Sequence, residues 1–251
     1  MRLGALLGPT LDTSPTEIAD QAKMLVDEGF ESLWAVQVVG RGFMAPDPLI
    51  ALSVAATVTT DVELGTAILQ LPLYHPTDLA HRVLSLQQLC GARLTLGLGA
   101  GSTVQDFDAF ERDFEARFRT FNESFVELSV ALETGANATA ELSPWPSVAG
   151  GPPLMYGTWG KGVERAAKEF SGWIASAHYR TPDELESAIQ RYRAAGGQRA
   201  VVSTIQLPAN RSLAEVEQLL QRFEAMGFDD AVVMFLPGGV SPQEVRKLVS
   251  A

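Results

Sequence analysis

The feature that most constrains the fold is a regular alternation of short apolar segments with amphipathic segments along the whole chain. Apolar segments of about four to eight residues are typical of strands that are buried on both faces. Their alternation with amphipathic segments favours a parallel sheet, because a helix must carry the chain back before the next parallel strand begins. The predicted strands are Arg2–Gly8, Ser32–Val36, Glu63–Ala67, Leu94–Leu98, Leu154–Gly157, Gly172–Ala175, Ala200–Gln206 and Asp230–Phe235.

A predicted helix follows each strand. Thr181-Pro182, Ser241-Pro242 and, less regularly, Ser14-Pro15 place a capping hydroxyl before a proline that suits the first helical turn. The predicted helices are Thr16–Glu28, Asp47–Thr57, Pro76–Leu89, Gln105–Glu133, Gly160–Phe170, Pro182–Ala195, Ser212–Met226 and Pro242–Val249. The irregular stretch Thr134–Pro153, rich in proline and glycine, is predicted to be a long loop.

The number of units selects the architecture. Eight units in 251 residues leave about 31 residues per unit, which suits a (β/α)8 barrel of about 250 residues. An open, doubly wound sheet alternates in the same way, but it more often stops at about five to seven strands. We therefore predict an α/β protein with one TIM-barrel domain over residues 1–251.

Composition argues against several classes of function. The chain has 30 acidic and 19 basic residues, a net charge of -11, so its surface repels the phosphates of nucleic acids. No apolar run approaches the roughly 18 to 20 residues of a spanning helix, and the first residues lack a signal-peptide core. We expect a cytoplasmic protein with neither a nucleic-acid nor a membrane partner. Cys90 is the single cysteine, and the three histidines show no zinc-ligand spacing, so no metal site is expected.

One glycine-rich segment lies where a barrel places its active site, at the carboxyl end of a strand. The segment Tyr156-Gly157-Thr158-Trp159-Gly160-Lys161 connects the fifth predicted strand to a helix. Glycines let backbone N–H groups approach a phosphate, and the helix N-terminus favours its negative charge. Thr158 and Lys161 would add donors. A plain glycine-rich connection with an exposed lysine is the alternative.

A second glycine cluster follows the fourth predicted strand. Tight packing of the strand end explains Gly97 and Gly99. Gly101-Ser102 is instead a candidate for close approach of the backbone to a ligand.

Other conspicuous residues are assigned structural roles first. Phenylalanines between Phe107 and Phe125 recur at helical spacing, which indicates core packing. Alternatives are a subunit contact, from which we expect a homodimer, and a substrate pocket for the early members. His75 is interpreted as a hydrogen-bonded residue before a helix, and Cys90 as inert packing. His178 follows the sixth strand and faces either the site or solvent.

Taken together and in order, several segments resemble the bacterial luciferase-like superfamily of flavin-dependent monooxygenases and coenzyme F420-dependent oxidoreductases. The most specific segments are Gly29–Trp34, Asp47–Leu52, Leu64–Ile68, His75–Gly101 and Pro152–Trp173. The resemblance implies a (β/α)8 barrel with coenzyme F420 or FMN across the strand ends. It places the cofactor's phosphate at the start of the fifth helix and implies a small organic substrate.

The resemblance also implies contacts for individual residues. A cis peptide bond is expected between Ala67 and Ile68, behind the cofactor ring. The residues expected to border the ring are Leu6, Gly8, Trp34 and Val36. The residues expected near the ribityl chain or the phosphate are Gly99, Ala100, Gly101, Ser102, Tyr156, Gly157, Thr158, Trp159, Gly160 and Lys161.

The sequence departs from the family after the second strand. Many relatives have an acidic residue followed by histidine there, whereas this chain has Gln37-Val38. Gln37 can form hydrogen bonds but cannot exchange a proton near neutral pH, so the catalytic residue stays unassigned. Gln37 and His178 are the candidates, and Tyr156 or water are alternatives as acid or base. The short chain also leaves little room for a segment that would close over a substrate, which argues against oxygenation.

Three functions follow from these observations. We expect an oxidoreductase that uses coenzyme F420 or, as a close alternative, FMN. The second hypothesis is a flavin- or F420-binding protein that has kept the pocket and lost catalysis. The third is a barrel enzyme of unrelated chemistry that binds sugar phosphates at Gly157–Lys161.

Overall fold

Parallel strands close into a ring in the computed structural model, which describes residues 1–8, 16–138 and 140–249. The strands are β1 (Arg2–Leu6), β2 (Ser32–Ala35), β3 (Glu63–Thr66), β4 (Leu69–Gln70), β5 (Leu94–Gly99), β6 (Leu154–Gly157), β7 (Gly172–Ser176), β8 (Ala200–Leu207) and β9 (Asp230–Phe235). The α-helices are α1 (Glu17–Asp27), α2 (Pro48–Val58), α3 (Pro76–Cys90), α4 (Val104–Asp108), α5 (Arg117–Thr134), α6 (Gly162–Glu169), α7 (Pro182–Ala194), α8 (Leu213–Met226) and α9 (Pro242–Val249).

The pairing of the strands shows that the ring is closed. β1 pairs in parallel with both β2 and β9, and each later neighbour continues the ring. β3 and β4 both pair with β5 and form two parts of one barrel strand, interrupted at Ala67 and Ile68. The ring within the described residues therefore has eight positions. The TIM-barrel prediction is confirmed, and the open-sheet alternative is wrong.

The predicted helix Gln105–Glu133 is wrong in one respect, because two helices, α4 and α5, take its place. Between them Glu111 has a φ of 52°, a left-handed conformation that ends a right-handed helix. The carboxylate of Asp113 then accepts hydrogen bonds from the N–H groups of Glu115 (2.9 Å) and Ala116 (3.3 Å). Such local capping competes with helix continuation and prepares the start of α5.

The remaining element predictions agree with the structure to within a few residues. The stretch predicted as a long loop has no helix or named strand from 135 to 153 among its described residues. The predicted cap at Ser14-Pro15 lies outside the described residues. No helix in the described part of the chain has the length and apolar character needed to cross a membrane.

Side chains alternate between the barrel interior and the layer beneath the helices, as the pleat of a strand requires. The inner set forms a separate apolar cluster. Its members are Leu6, Trp34, Ala67, Met155, Ile174, Val201 and Val232, with Val36, Ile68 and Met234 packed against them. The outward-facing side chains of the strands pack under the helices in the larger core.

Four charged residues fill the amino-terminal end of the barrel. Arg199 donates to both oxygens of Glu63 at 2.9 Å and to those of Asp230 at 2.9 and 3.0 Å. Arg2 reaches the same two carboxylates at 2.8 and 3.1 Å. Burial raises the pKa of Glu63, but hydrogen bonds from Arg199 outweigh it and hold that pKa below its usual value. This end of the barrel is closed by paired charges, which leaves the carboxyl end as the open mouth.

Candidate active site at the barrel mouth

An apolar floor lies inside the barrel, below the carboxyl ends of the strands. It contains five of the residues that we expected near the cofactor. These residues are Leu6, Trp34, Val36, Ala67 and Ile68. The Trp34 side chain is fully buried, and its Nε1 donates to Oγ of Ser32 at 2.8 Å. The expected cis peptide bond between Ala67 and Ile68 is present.

The other side of the floor was missed by sequence reasoning. It comes from the later strands, and its members are Met155, Ile174, Val201, Val232 and Met234. Their signal was available, because each of them alternates with an outward-facing neighbour along its strand. Applying that alternation to every predicted strand would have identified them.

The glycines at the strand ends make room for protein atoms. A Cβ on Gly99 would lie 2.8 Å from Cδ1 of Ile68, and one on Gly157 would lie 2.4 Å from its Cγ2. A Cβ on Gly97 would lie 2.0 Å from the carbonyl oxygen of Thr66. Tight packing therefore accounts for Gly97 and Gly99. Ile68 forms a smooth apolar surface across two neighbouring strands at this side of the mouth.

Packing also accounts for Gly101, the residue that we considered for backbone approach to a ligand. A Cβ on Gly101 would lie 2.5 Å from Oε1 of Gln70 and 2.7 Å from the ring of Phe107. Its neighbour Ser102 is exposed. Gly8, at the end of β1, is buried, and its N–H donates to Oε1 of Gln21 at 2.9 Å.

The start of α6 is the part of the mouth that is best suited to an anion. The N-cap residue, Lys161, makes no side-chain capping bond, and its own side chain is exposed. Gly160 has a φ of 62° and open space on its Cβ side. The Thr158 hydroxyl lies over Gly162, where a Cβ would come within 2.1 Å of Oγ1. The N–H groups of Gly162 and Val163 donate to the carbonyl oxygens of Trp159 and Gly160 at 3.1 and 3.3 Å. The hydroxyl of Thr158, the ammonium group of Lys161 and the positive end of the helix dipole are therefore what this helix start offers a phosphate.

Two arginines that the sequence did not single out lie at the same helix start. The Arg180 guanidinium stacks on Trp159, 4.6 Å from the ring centroid. Arg191 donates to the carbonyl oxygen of Gly160 at 3.2 Å and to Glu164 at 2.8 Å. Both arginines come from the neighbouring strand-helix unit, so only the fold shows their proximity. Each is paired with a carboxylate, Arg180 with Glu184 at 3.8 Å and Arg191 with Glu164, so they add little net charge to this helix start.

Two expected cofactor contacts have side chains that face away from the barrel interior. The Tyr156 ring stacks on Phe121 and Phe170, with centroids 4.8 and 4.6 Å apart. Ala100 is buried in the outer core. The role of Tyr156 as an acid or base in the mouth is therefore corrected, because its ring packs under α5 and α6. Only the backbone of these two residues borders the mouth.

The Gln37 side chain anchors the neighbouring strand end. Its Oε1 accepts a hydrogen bond from the backbone N–H of Gln70 at 2.7 Å. The Gln70 side chain donates to Asp106 at 2.6 Å, and Arg41 donates to the same carboxylate at 2.9 and 2.5 Å. The hydrogen bond to Asp106 raises the pKa of Arg41 against the effect of burial, and Tyr179 contributes. This network ties β2, β4, α4 and the loop after β2 together.

His75, His81 and Cys90 belong to α3 and its N-cap, whereas His178 lies in the loop after β7, at the carboxyl end of the barrel. His178 is exposed, and its ring contacts that of Tyr179 with centroids 4.5 Å apart. Nδ1 of His75 accepts from the N–H of Thr77 at 3.2 Å and caps α3, as its structural interpretation requires. Cys90 is buried, and burial raises the pKa of its thiol. In the described ranges, no group of three or more His, Cys, Asp or Glu residues is arranged to hold a metal ion.

Comparison with known proteins identifies relatives of the chain and structures with the same fold. A curated relative, 4-hydroxyprotoasukamycin monooxygenase of Streptomyces nodosus subsp. asukaensis, is 32% identical over 125 residues, 49% of this chain and 33% of the relative. The match thus spans about a third of that relative's length. The coenzyme F420-dependent tetrahydromethanopterin reductase of Methanopyrus kandleri has the same fold, with a TM-score of 0.71, 16% identity and coverage of 99% of this chain and 96% of its own.

A structure with bound FMN has this fold as well. The oxygenating constituent of 3,6-diketocamphane monooxygenase from Pseudomonas putida aligns with a TM-score of 0.68 and 18% identity, over 90% of this chain and 74% of its own. The sequence model of the luciferase-like monooxygenases matches residues 1–225. This match covers most of the 251 residues, so the chain belongs to the luciferase-like monooxygenase family.

Proposed function

We propose that this protein is an oxidoreductase that holds reduced coenzyme F420 in the barrel mouth and transfers a hydride from it to a small organic molecule, which leaves the cofactor oxidised. FMN is the close alternative, and with FMN the reaction would include oxygenation. The observation that carries the proposal is the uncapped start of α6, with Thr158 and Lys161, directly beside an apolar floor. That combination suits a flat ligand with a phosphate group.

Each part of the mouth has a role in this proposal. When bound, the cofactor supplies the hydride, since the cofactor and not the protein carries the redox chemistry. Val36, Ile68 and Met234, which are half-buried, would contact the ring, above Leu6 and Trp34, which fill the barrel interior beneath it. Thr158 and Lys161, at the positive end of the α6 dipole, would bind the phosphate. The substrate gains two electrons with the hydride, and a proton from solvent completes its reduction.

The position of Gln37 favours hydride transfer over oxygenation. Its carbonyl oxygen is committed to the N–H of Gln70, and an amide cannot exchange a proton near neutral pH. Oxygenation needs side chains that donate and accept protons, and it needs water to be excluded from the site. Hydride transfer, with the proton supplied by solvent, requires no acid or base among these residues. The relatives support both cofactors, because one similar structure contains FMN and another is described as F420-dependent.

The position of Gln37 also favours a second candidate function, a protein that binds the cofactor without catalysis. Gln37-Val38 stands where many relatives have an acidic residue followed by a catalytic histidine, and the Gln37 side chain holds the end of β4 in place. Such a protein would bind F420 or FMN to saturation and show no substrate-dependent oxidation. Turnover with a panel of small carbonyl and alkene substrates separates the two candidates.

The test is a fluorescence titration of the purified protein with coenzyme F420, FMN and FAD. We expect F420 to bind most tightly, and the double variant Thr158→Ala/Lys161→Ala to lose about 1–3 kcal/mol of binding free energy, the scale of hydrogen bonds to a charged group. Lys168→Ala is the matched control, because Lys168 is an exposed lysine in the last turn of the same helix. Equal affinity in the double variant would remove Thr158 and Lys161 from the site. A wild type that binds none of the three cofactors would refute the proposal.

A further inference from the structure

Strand β8 contains an irregularity on the side of the barrel that the proposed function has not used. Val202 pairs with Ala231 and Ile205 pairs with Val233, so the two residues Ser203 and Thr204 lie opposite one residue of β9. This is a β-bulge. Thr204 has a φ of 56°, which is a genuine outlier for a β-branched residue.

The bulge reverses which side chains face the interior. Before it, Val201 belongs to the inner cluster and Val202 to the outer core. After it, Ile205 and Leu207 belong to the outer core, so Thr204 and Gln206 face the interior, and both are half-buried. Without the extra residue, the alternation would place Ile205 and Leu207 in the mouth. The strained Thr204 conformation thus exchanges two apolar side chains for two polar ones.

The two polar side chains face the apolar side of the mouth. In the ring of eight positions, β8 stands directly opposite the strand formed by β3 and β4, which carries Ile68. By the same alternation, Ser176 on β7 also faces inward and is half-buried. Near the mouth, the inward-facing positions Val36, Ile68, Gly99 and Gly157 on the side of β2 to β6 are apolar or glycine, whereas the inward-facing Ser32 and Thr95 lie towards the closed end. Hydroxyl and amide groups are therefore concentrated on the wall formed by β7 and β8.

We propose that Thr204 and Gln206 bind the polar edge of the cofactor ring. This inference rests on the proposed function. The pyrimidine end of a flavin or deazaflavin carries carbonyl and N–H groups, and such groups need hydrogen-bond partners when they are buried. An eight-stranded barrel is narrow, so a three-ring heterocycle on the Ile68 side reaches the opposite wall. Backbone strain at a site of this kind persists where function retains it.

The experiment measures two quantities for each variant, the dissociation constants for F420 and FMN by fluorescence and the melting temperature without ligand. Thr204→Gly removes the hydroxyl and relieves the strained φ. We expect a higher melting temperature together with about tenfold weaker binding, which corresponds to one lost hydrogen bond. Gln206→Leu is expected to weaken binding by a similar factor. Thr204→Asn tolerates the left-handed conformation and keeps a polar group, so it should bind more tightly than Thr204→Gly.

Ser203→Ala is the matched control. Ser203 is the other residue of the bulge, but it is buried, and its hydroxyl donates to the carbonyl oxygen of Ala175 at 3.2 Å and lies 3.5 Å from the Thr204 hydroxyl. We expect this variant to be less stable and to bind the cofactor as the wild type does. Wild-type affinity in both Thr204→Gly and Gln206→Leu would overturn the inference while leaving the proposed function intact. A wild type that binds no cofactor would overturn both.

Discussion

Asp106 is the acceptor at the centre of the hydrogen-bond network beneath the mouth. Its replacement by alanine therefore has a predictable effect on the free energy of unfolding. Its side chain is fully buried. It accepts hydrogen bonds from both Nε and Nη2 of Arg41, from the Gln70 side chain and, at 3.3 Å, from the N–H of Val39. Asp106→Ala would remove all of these acceptors, and it would not weaken α4 through propensity, because alanine favours a helix more than aspartate does.

The expected loss follows from the exposure of the two partners. Gln70 is 2% exposed, and in the described part of the chain its Oε1 already has no hydrogen-bond partner, so its amide would have none at all. A buried polar group left without a partner costs about 1–3 kcal/mol. The Arg41 side chain is 25% exposed, so water can replace part of its ion pair, and about 1 kcal/mol is assigned to that loss. Together these values predict a loss of about 2–4 kcal/mol of unfolding free energy.

Equilibrium unfolding in urea at neutral pH, followed by circular dichroism, measures this loss. Asp78→Ala is the control, because Asp78 pairs with Arg82 at 2.9 Å on the surface of α3, where both side chains are about half exposed. An exposed pair of this kind contributes about 0.5 kcal/mol or less. The reasoning is refuted if Asp106→Ala costs less than about 1 kcal/mol, or if the two variants lose the same amount.

Two further predictions concern the closed end of the barrel and the outer surface. The pKa of Glu63 is lower in the folded state than in the unfolded state, so its contribution to stability is present above the usual glutamate value of about 4.3 and is lost as the pH falls through the folded value. Glu63→Gln should therefore flatten the fall in stability below that pH in acid-unfolding curves, and a slope parallel to that of the wild type would contradict this role. We also propose that the protein forms a homodimer through the exposed part of the phenylalanine stripe, where the Phe118 side chain is 55% exposed. Phe118→Ser should shift sedimentation towards the monomer, and a wild type that sediments as a monomer at high concentration would contradict the dimer.

The sequence was sufficient for the elements whose signal is local. β1, β6 and β9 begin at the predicted residues, because apolar runs between turn residues are sufficient to mark buried strands. The division between α4 and α5 was missed, because Phe107, Phe121 and Phe125 keep a helical spacing across it. Phe107 and Phe121 are fully buried, so the core interpretation holds for those two members of the stripe. The left-handed Glu111 depends on surroundings that spacing does not show.

The site residues likewise fall into two groups, those that a local sequence pattern identifies and those that only the fold brings together. Lys161 and Thr158 could be identified from a glycine-rich segment before a helix, which is a local pattern. Arg41 and Asp106 are 65 residues apart, and Arg180 reaches Trp159 from the next unit, so no short pattern connects them. The bulge at Thr204 is equally hidden, since its sequence reads as a continuous strand. Contacts between distant segments depend on packing, which the fold must supply first.

The paired charges at the closed end also bear on how reliably the barrel assembles. Arg2, Glu63 and Asp230 each open a strand, and Arg199 directly precedes β8, so the four charges come from four separate strand starts. A slip of β9 by one residue would turn Asp230 out of the barrel and leave two guanidinium groups facing one carboxylate. Such misaligned barrels would carry an uncompensated buried charge, which is strongly unfavourable. The quartet therefore acts as a check on strand alignment during folding, at the end of the molecule that has no part in binding.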